Sequence, residues 1–196
     1  MVVAAAVATA LIHAVVNPVL PAPDGLFRVS VTGVHAPAAD VVVHGGIASG
    51  GKMFGLVPLR DRGGGTWFTV LRAPGFLGTY PIRVRYEGRY HETDALVSIL
   101  PKNFDRLFSG ATPEAVLLTW RVNSPGGATI ASSTTWKQGF YYHRDQRYNR
   151  LLRVKFTLVR PWPRYHLQAG TFVKWFDLVR TSTTAKWHLV QVVDAP

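Results

Sequence analysis

Residues 150–160, RLLRVKFTLVR, alternate with a period of two. Leu152, Val154, Phe156 and Leu158 fall on one side, and Arg153, Lys155 and Thr157 on the other. Side chains of an extended chain point alternately to opposite faces, so the run reads as a strand with one buried and one cationic face. It decides the fold class of the second half and marks where a site would lie. Three more strand candidates surround it. Residues 129–136 are polar and rich in Ser and Thr, fitting an exposed or cavity-lining strand. In residues 171–180, Phe172, Phe176 and Leu178 oppose Val173, Trp175 and Val179. Residues 187–193 close the chain, and 181–185 suit the hairpin that joins the last two strands.

Upstream, residues 112–122, TPEAVLLTWRV, read as a helix. Thr112 suits the N-cap, Pro113 the first helical position, and Glu114 the positive end of the helix dipole. Val116, Leu117 and Trp120 form its apolar stripe, and the Ser-Pro-Gly-Gly run after Asn123 ends it. One capped helix beside antiparallel strands predicts an α+β unit over 102–196. Residues 101–110 read as a joint, with Phe104, Leu107 and Phe108 available for interface packing.

Residues 26–101 break into short strands separated by Gly, Pro or Asp, which predicts a β-sandwich. Phe27, Val29 and Val31 share a face in the first of them. Others are expected over 41–44, 53–59, 66–71, 80–86 and 93–100. Before this unit, residues 2–16 are apolar on every side, with His13 as their one polar side chain besides Thr9. We read 1–20 as an apolar helical signal or anchor segment and 21–25 as a linker. The expected setting is therefore membrane-anchored, extracytoplasmic or secreted, with the membrane met through residues 2–20.

Two resemblances follow from these motifs. The Gly-Thr-Tyr step at residues 78–80, entering the alternating strand that ends at Tyr86, resembles the corresponding strand of immunoglobulin-like and fibronectin-type domains. That resemblance implies a spacer or ligand-presenting module in which the hydroxyl of Tyr80 bonds back to backbone at the corner. The Thr-Pro-Glu helix, followed by long strands ending in residues 186–194, is similar to the cone-shaped NTF2-like fold. That similarity implies a pocket or docking surface and no particular activity.

The 196 residues carry 22 Lys and Arg against 11 Asp and Glu, and the excess is uneven. Residues 24–101 hold eight basic and six acidic residues, whereas 102–196 hold fourteen basic and five acidic. A sign asymmetry of this kind concerns partners and not fold. The absence of cysteine excludes disulfides, thiolate catalysis and cysteine metal sites.

Residues suited to catalysis are scattered. The seven His show no i,i+4 pair, and Ser132 and Ser133 lack a Gly-x-Ser-x-Gly frame. In the His91-Glu92-Thr93-Asp94 cluster a strand would place Glu92 and Asp94 on one face and His91 on the other. No catalytic residue, cofactor or metal site is assigned. The ligand-binding candidates lie between Phe140 and Arg164: Tyr141, Tyr142, Arg144, Arg147, Tyr148, Arg150, Arg153, Lys155, Arg160, Trp162 and Arg164. Guanidinium groups pair with phosphate or carboxylate, and aromatic rings stack on bases or sugars. The expectation is a non-catalytic binding or scaffolding protein whose basic second half engages anionic lipid, wall polymer or an acidic protein. A single-stranded nucleic-acid-binding protein and a small envelope hydrolase are the alternatives.

Overall fold

The computed structural model describes residues 12–43, 57–73, 75–137 and 145–195. The chain is mainly β, with a single α-helix among the described residues. Eight strands form the first half: β1 (His13–Asn17), β2 (Leu26–Thr32), β3 (Asp40–Val43), β4 (Val57–Pro58), β5 (Arg60–Asp61), β6 (Thr66–Arg72), β7 (Gly78–Tyr86) and β8 (Arg89–Ile99). They make two antiparallel sheets, ordered β1-β2-β6-β5 and β4-β3-β7-β8. One buried cluster lies between the sheets. Phe27, Val29, Val31, Trp67 and Leu71 enter it from the first, and Tyr80, Ile82, Val84, Val97 and Ile99 from the second. The alternation of 26–32 is therefore realised residue for residue. Tyr80 is 1% exposed and donates its hydroxyl to Phe76 O at 3.0 Å, the backward bond expected at that corner.

The N-terminal segment departs from expectation. No apolar helix occupies 12–20; β1 lies antiparallel to β2, with Ala14 opposite Val31 and Val16 opposite Val29. Ile12, Ala14 and Val16 are buried, while His13, Val15 and Asn17 face outward. Apolar residues on both sides of a half-buried strand hide its period of two, which is why the run reads as apolar all round. Residues 21–25, expected as a linker, connect β1 to β2, and Ala73 N donates to Gly25 O at 2.6 Å. Residues 1–11 of the expected anchor, His44, and 53–56 of the expected third run lie outside the described residues. Among the described residues no helix is long and apolar enough to cross a membrane.

The second half has β9 (Ser109–Gly110), α1 (Pro113–Asn123), β10 (Ala128–Thr135), β11 (Asn149–Leu158), β12 (Gly170–Val179) and β13 (Trp187–Val193). Its curved antiparallel sheet runs β10-β11-β12-β13-β9. The Thr112 side chain caps α1 by accepting from Ala115 N at 3.2 Å. Val116, Leu117 and Trp120 are the buried helix residues, as the stripe predicts. Trp120 is fully buried, with the rings of Phe156, Trp162 and Phe176 at 5.0, 5.0 and 4.9 Å. Gly110 lets the helix start sit against β9: a Cβ there would lie 2.7 Å from Val116 N.

Phe104 and Phe108, expected at the joint, pack onto this half, Phe104 against His188 and Phe108 against Trp162. The halves meet at a buried polar contact. Asn149 Oδ1 accepts from Thr79 N at 3.0 Å, and Asn149 Nδ2 donates to Thr79 O at 2.8 Å.

Candidate functional site

The face of the second sheet away from α1 carries two of the three cations of β11, Arg153 and Lys155. Arg153 lies between Thr134 of β10 and Trp175 of β12, and Lys155 between Ser132 and Val173. Both cations are exposed. Two residues of strand separate their Cα atoms by roughly 6.7 Å. Below Lys155, Thr157 and Thr171 bond through their hydroxyls at 2.8 Å. Above Arg153, Trp136 meets Trp175 edge to face, with ring centroids 5.9 Å apart. The result is an open row of hydroxyls and cations bounded at one end by an aromatic pair.

Among the described residues neither indole nitrogen of that pair, Trp136 Nε1 or Trp175 Nε1, has a hydrogen-bond partner, although both are shielded from solvent. Beyond Trp175, Asp177 is fully buried and accepts from Gln191 Nε2 at 2.9 Å. The face therefore presents its positive charge outward and keeps its carboxylate inside.

The other expected site residues are dispersed. Arg147 forms a two-pronged ion pair with Asp145, with Nη2–Oδ2 at 2.7 Å and Nε 3.1 Å from each carboxylate oxygen. That hydrogen bonding raises its already high pKa further, so it is a fixed cation whose charge is locally balanced. Tyr148 is 8% exposed beneath the Arg147 guanidinium. Arg150 is half-buried on β11. Trp162 is 7% exposed and belongs to the helix–sheet core. Arg160 and Arg164 are exposed, and Arg164 lies 5.4 Å from the Phe108 ring and 5.6 Å from that of Tyr165. Tyr141, Tyr142 and Arg144 lie outside the described residues, as does His143. Of the expected set, the structure brings Arg153 and Lys155 together on one open surface.

A second feature sits where the halves meet. A cleft of about 340 Å³ is lined by residues that include Glu92, Asp94, Arg147, Tyr148 and Ser182. Glu92 and Asp94 both lie on β8, where its pairing with β7 is irregular, and both line the cleft. Each is already engaged, Glu92 by Arg83 and Asp94 by His13 Nδ1 at 2.5 Å and Ala14 N at 3.0 Å. Desolvation, the largest single influence on Asp94, pushes its carboxyl up. The Ala14 N–H and the hydrogen bond and charge of His13 outweigh it and hold the group below its ordinary value of 3.8. Sequence reasoning missed this dyad because its members are far apart in the chain, and the lone His13 in an apolar run was the signal. Among the described residues no three His, Asp or Glu side chains gather into a group that could hold a metal ion.

No family model matches the chain, and no curated protein does. A solved structure described as a candidate peptidase M23 from Pseudomonas aeruginosa is 15% identical, with 91% of this chain and 92% of that one covered. Its TM-score of 0.28 is too low for the likeness to carry any argument about fold or activity.

Proposed function

We propose that this is a non-catalytic binding protein whose second half engages an anionic polymer or surface through the open face of its sheet. The observation that carries the reading is the Arg153–Lys155 pair, exposed on one face and flanked by Ser132, Thr134 and Trp175. Two long cationic side chains on alternate residues of one strand, their Cα atoms roughly 6.7 Å apart, can reach successive phosphates or carboxylates of an extended chain, and neighbouring hydroxyls can donate to the same oxygens. The net of +9 in residues 102–196, fourteen basic against five acidic, adds a long-range pull on such a partner. The first half, an immunoglobulin-like sandwich in this reading, presents or spaces that surface, and the second is an NTF2-like unit. The two are separate domains, 26–101 with β1 added and 102–196. The apolar run over residues 2–11 supports an envelope setting, in which wall polymer, anionic lipid or an acidic protein would be the partner. Binding to a phosphate-bearing wall polymer should weaken steeply as salt is added, because exposed charges are screened within about 8 Å at physiological ionic strength. Binding indifferent to salt would contradict the proposal.

Single-stranded nucleic acid is the second reading, favoured by Trp175 directly across from Arg153. An indole beside a guanidinium on an open sheet can stack a base while the cation holds its phosphate. A short single strand outcompeting wall polymer would favour this reading.

A further inference from the structure

The outer face of the first sheet carries three arginines around one aromatic ring. Arg28 on β2 and Phe68 on β6 both point away from the sandwich core, since Phe27, Val29, Trp67 and Leu71 occupy the inward positions. Arg60 on β5 pairs directly with Phe68, and Arg62 follows two residues later on the same side. The guanidinium carbons of Arg28 and Arg62 each lie 4.8 Å from the centre of the Phe68 ring. Beside them is a cleft of about 300 Å³ lined by Val57, Pro58, Arg60, Phe68, Thr69 and Val70.

The charge here is unbalanced. Among the described residues none of these three arginines forms an ion pair with a carboxylate. The acid nearest in sequence, Asp61, lies across from inward-facing Trp67 and uses Oδ1 to accept from Gly63 N at 2.7 Å. Arg28 Nε is withdrawn from solvent and has no acceptor among the described residues. Partial desolvation makes a cation a stronger partner for an incoming anion. A cation over a ring stabilises by roughly 0.5–1 kcal/mol at an exposed site, which accounts for one arginine on Phe68. It does not account for three like charges gathered there, which repel one another. An anion among them would relieve that repulsion.

We propose that Arg28, Arg60 and Arg62 form an anion-binding site on the first half, separate from the open face of the second sheet. Its ligand carries a phosphate or carboxylate next to a small apolar or aromatic body. The anion sits among the guanidinium groups, and the apolar body enters the cleft against Val57, Pro58 and Val70. The inference does not rest on the function proposed above.

Nuclear magnetic resonance titration of the full chain with phenyl phosphate, benzoate and inorganic phosphate tests it. Phenyl phosphate and benzoate should shift the Phe68 ring and Arg28 Nε–H signals saturably, and inorganic phosphate should bind more weakly because it lacks the apolar body. Arg60→Gln with Arg62→Gln should weaken phenyl phosphate by about tenfold or more, as expected for lost charge-assisted hydrogen bonds. Arg153→Gln with Lys155→Gln should leave it unchanged, which separates this site from the other surface. No saturable shift in the wild type, or a shift that survives the Arg60 and Arg62 substitutions, would overturn the proposal. Equal affinity for inorganic and phenyl phosphate would overturn the assignment of the cleft.

Discussion

The side-chain amide of Asn149 pairs with both backbone groups of Thr79, accepting from its N–H at 3.0 Å and donating to its C=O at 2.8 Å. Seventy residues apart, the two are 2% and 0% exposed. Asn149 Nδ2 also donates to Asp145 O at 3.0 Å, and Thr79 Oγ1 meets Ser98 Oγ at 2.8 Å. An asparagine here does what a neighbouring strand would do at the edge of β7, and it ties the sandwich to the helix-bearing half. Asn149→Ala leaves a buried donor and acceptor unmade and should cost about 2–4 kcal/mol in urea unfolding. Asn149→Asp should cost more, since a carboxylate would face the carbonyls of Thr79 and Asp145.

The strand at the N-terminus makes a prediction with an internal control. Val16 is 7% exposed in the sandwich core, and Val15 is 54% exposed on the outer face. Val16→Asp should destabilise by about 3 kcal/mol or more through a buried charge, and Val15→Asp by about 0.5 kcal/mol or less. Thermal unfolding of the two variants would decide. Equal effects would contradict the alternation of β1.

Asp94 links the same strand to acid stability. Its carboxyl is held below 3.8 in the folded chain, so the stabilisation it confers is complete above the unfolded value. That stabilisation is lost as pH falls through the lower folded value. Asp94→Asn should therefore lower stability near neutral pH, and the gap from wild type should close in strong acid. Denaturant midpoints measured across that range check the sign.

Tyr165 should tolerate loss of its hydroxyl. Burial pushes its pKa up to about 12, and the Oη is shielded with no partner among the described residues. Its ring packs edge to face on Trp162 at 5.1 Å. Tyr165→Phe keeps the ring and removes an unsatisfied polar group, so the melting temperature should hold or rise. A clear fall would mean that the hydroxyl has a partner.

Much of this fold is legible in strict alternation. Residues 26–32 and 152–158 each separate buried from more exposed positions with a period of two, and Val116, Leu117 and Trp120 mark one side of a capped helix. Where both sides of a strand are apolar the signal fails, and β1 passes for a helix. Pairings that depend on how the chain returns are invisible to spacing: Asn149 on Thr79, His13 on Asp94, and the arginines on Phe68. The site was legible in part for the same reason. Alternation placed Arg153 and Lys155 on an open face. Nothing local to residues 144–164 showed that Asp145 would hold Arg147, or that Trp162 would join the core.

The most direct test of the account compares the full chain with its Arg153→Gln, Lys155→Gln double variant for binding to vesicles of anionic lipid and to a phosphate-bearing wall polymer at moderate salt. Each cation near such a surface contributes about 1 kcal/mol, so losing both should weaken binding roughly 30-fold. An Arg160→Gln, Arg164→Gln variant, with the same net charge, should weaken it far less. Equal weakening by the two variants would reduce the effect to net charge, and unchanged binding by the first would contradict the assignment of the open sheet face.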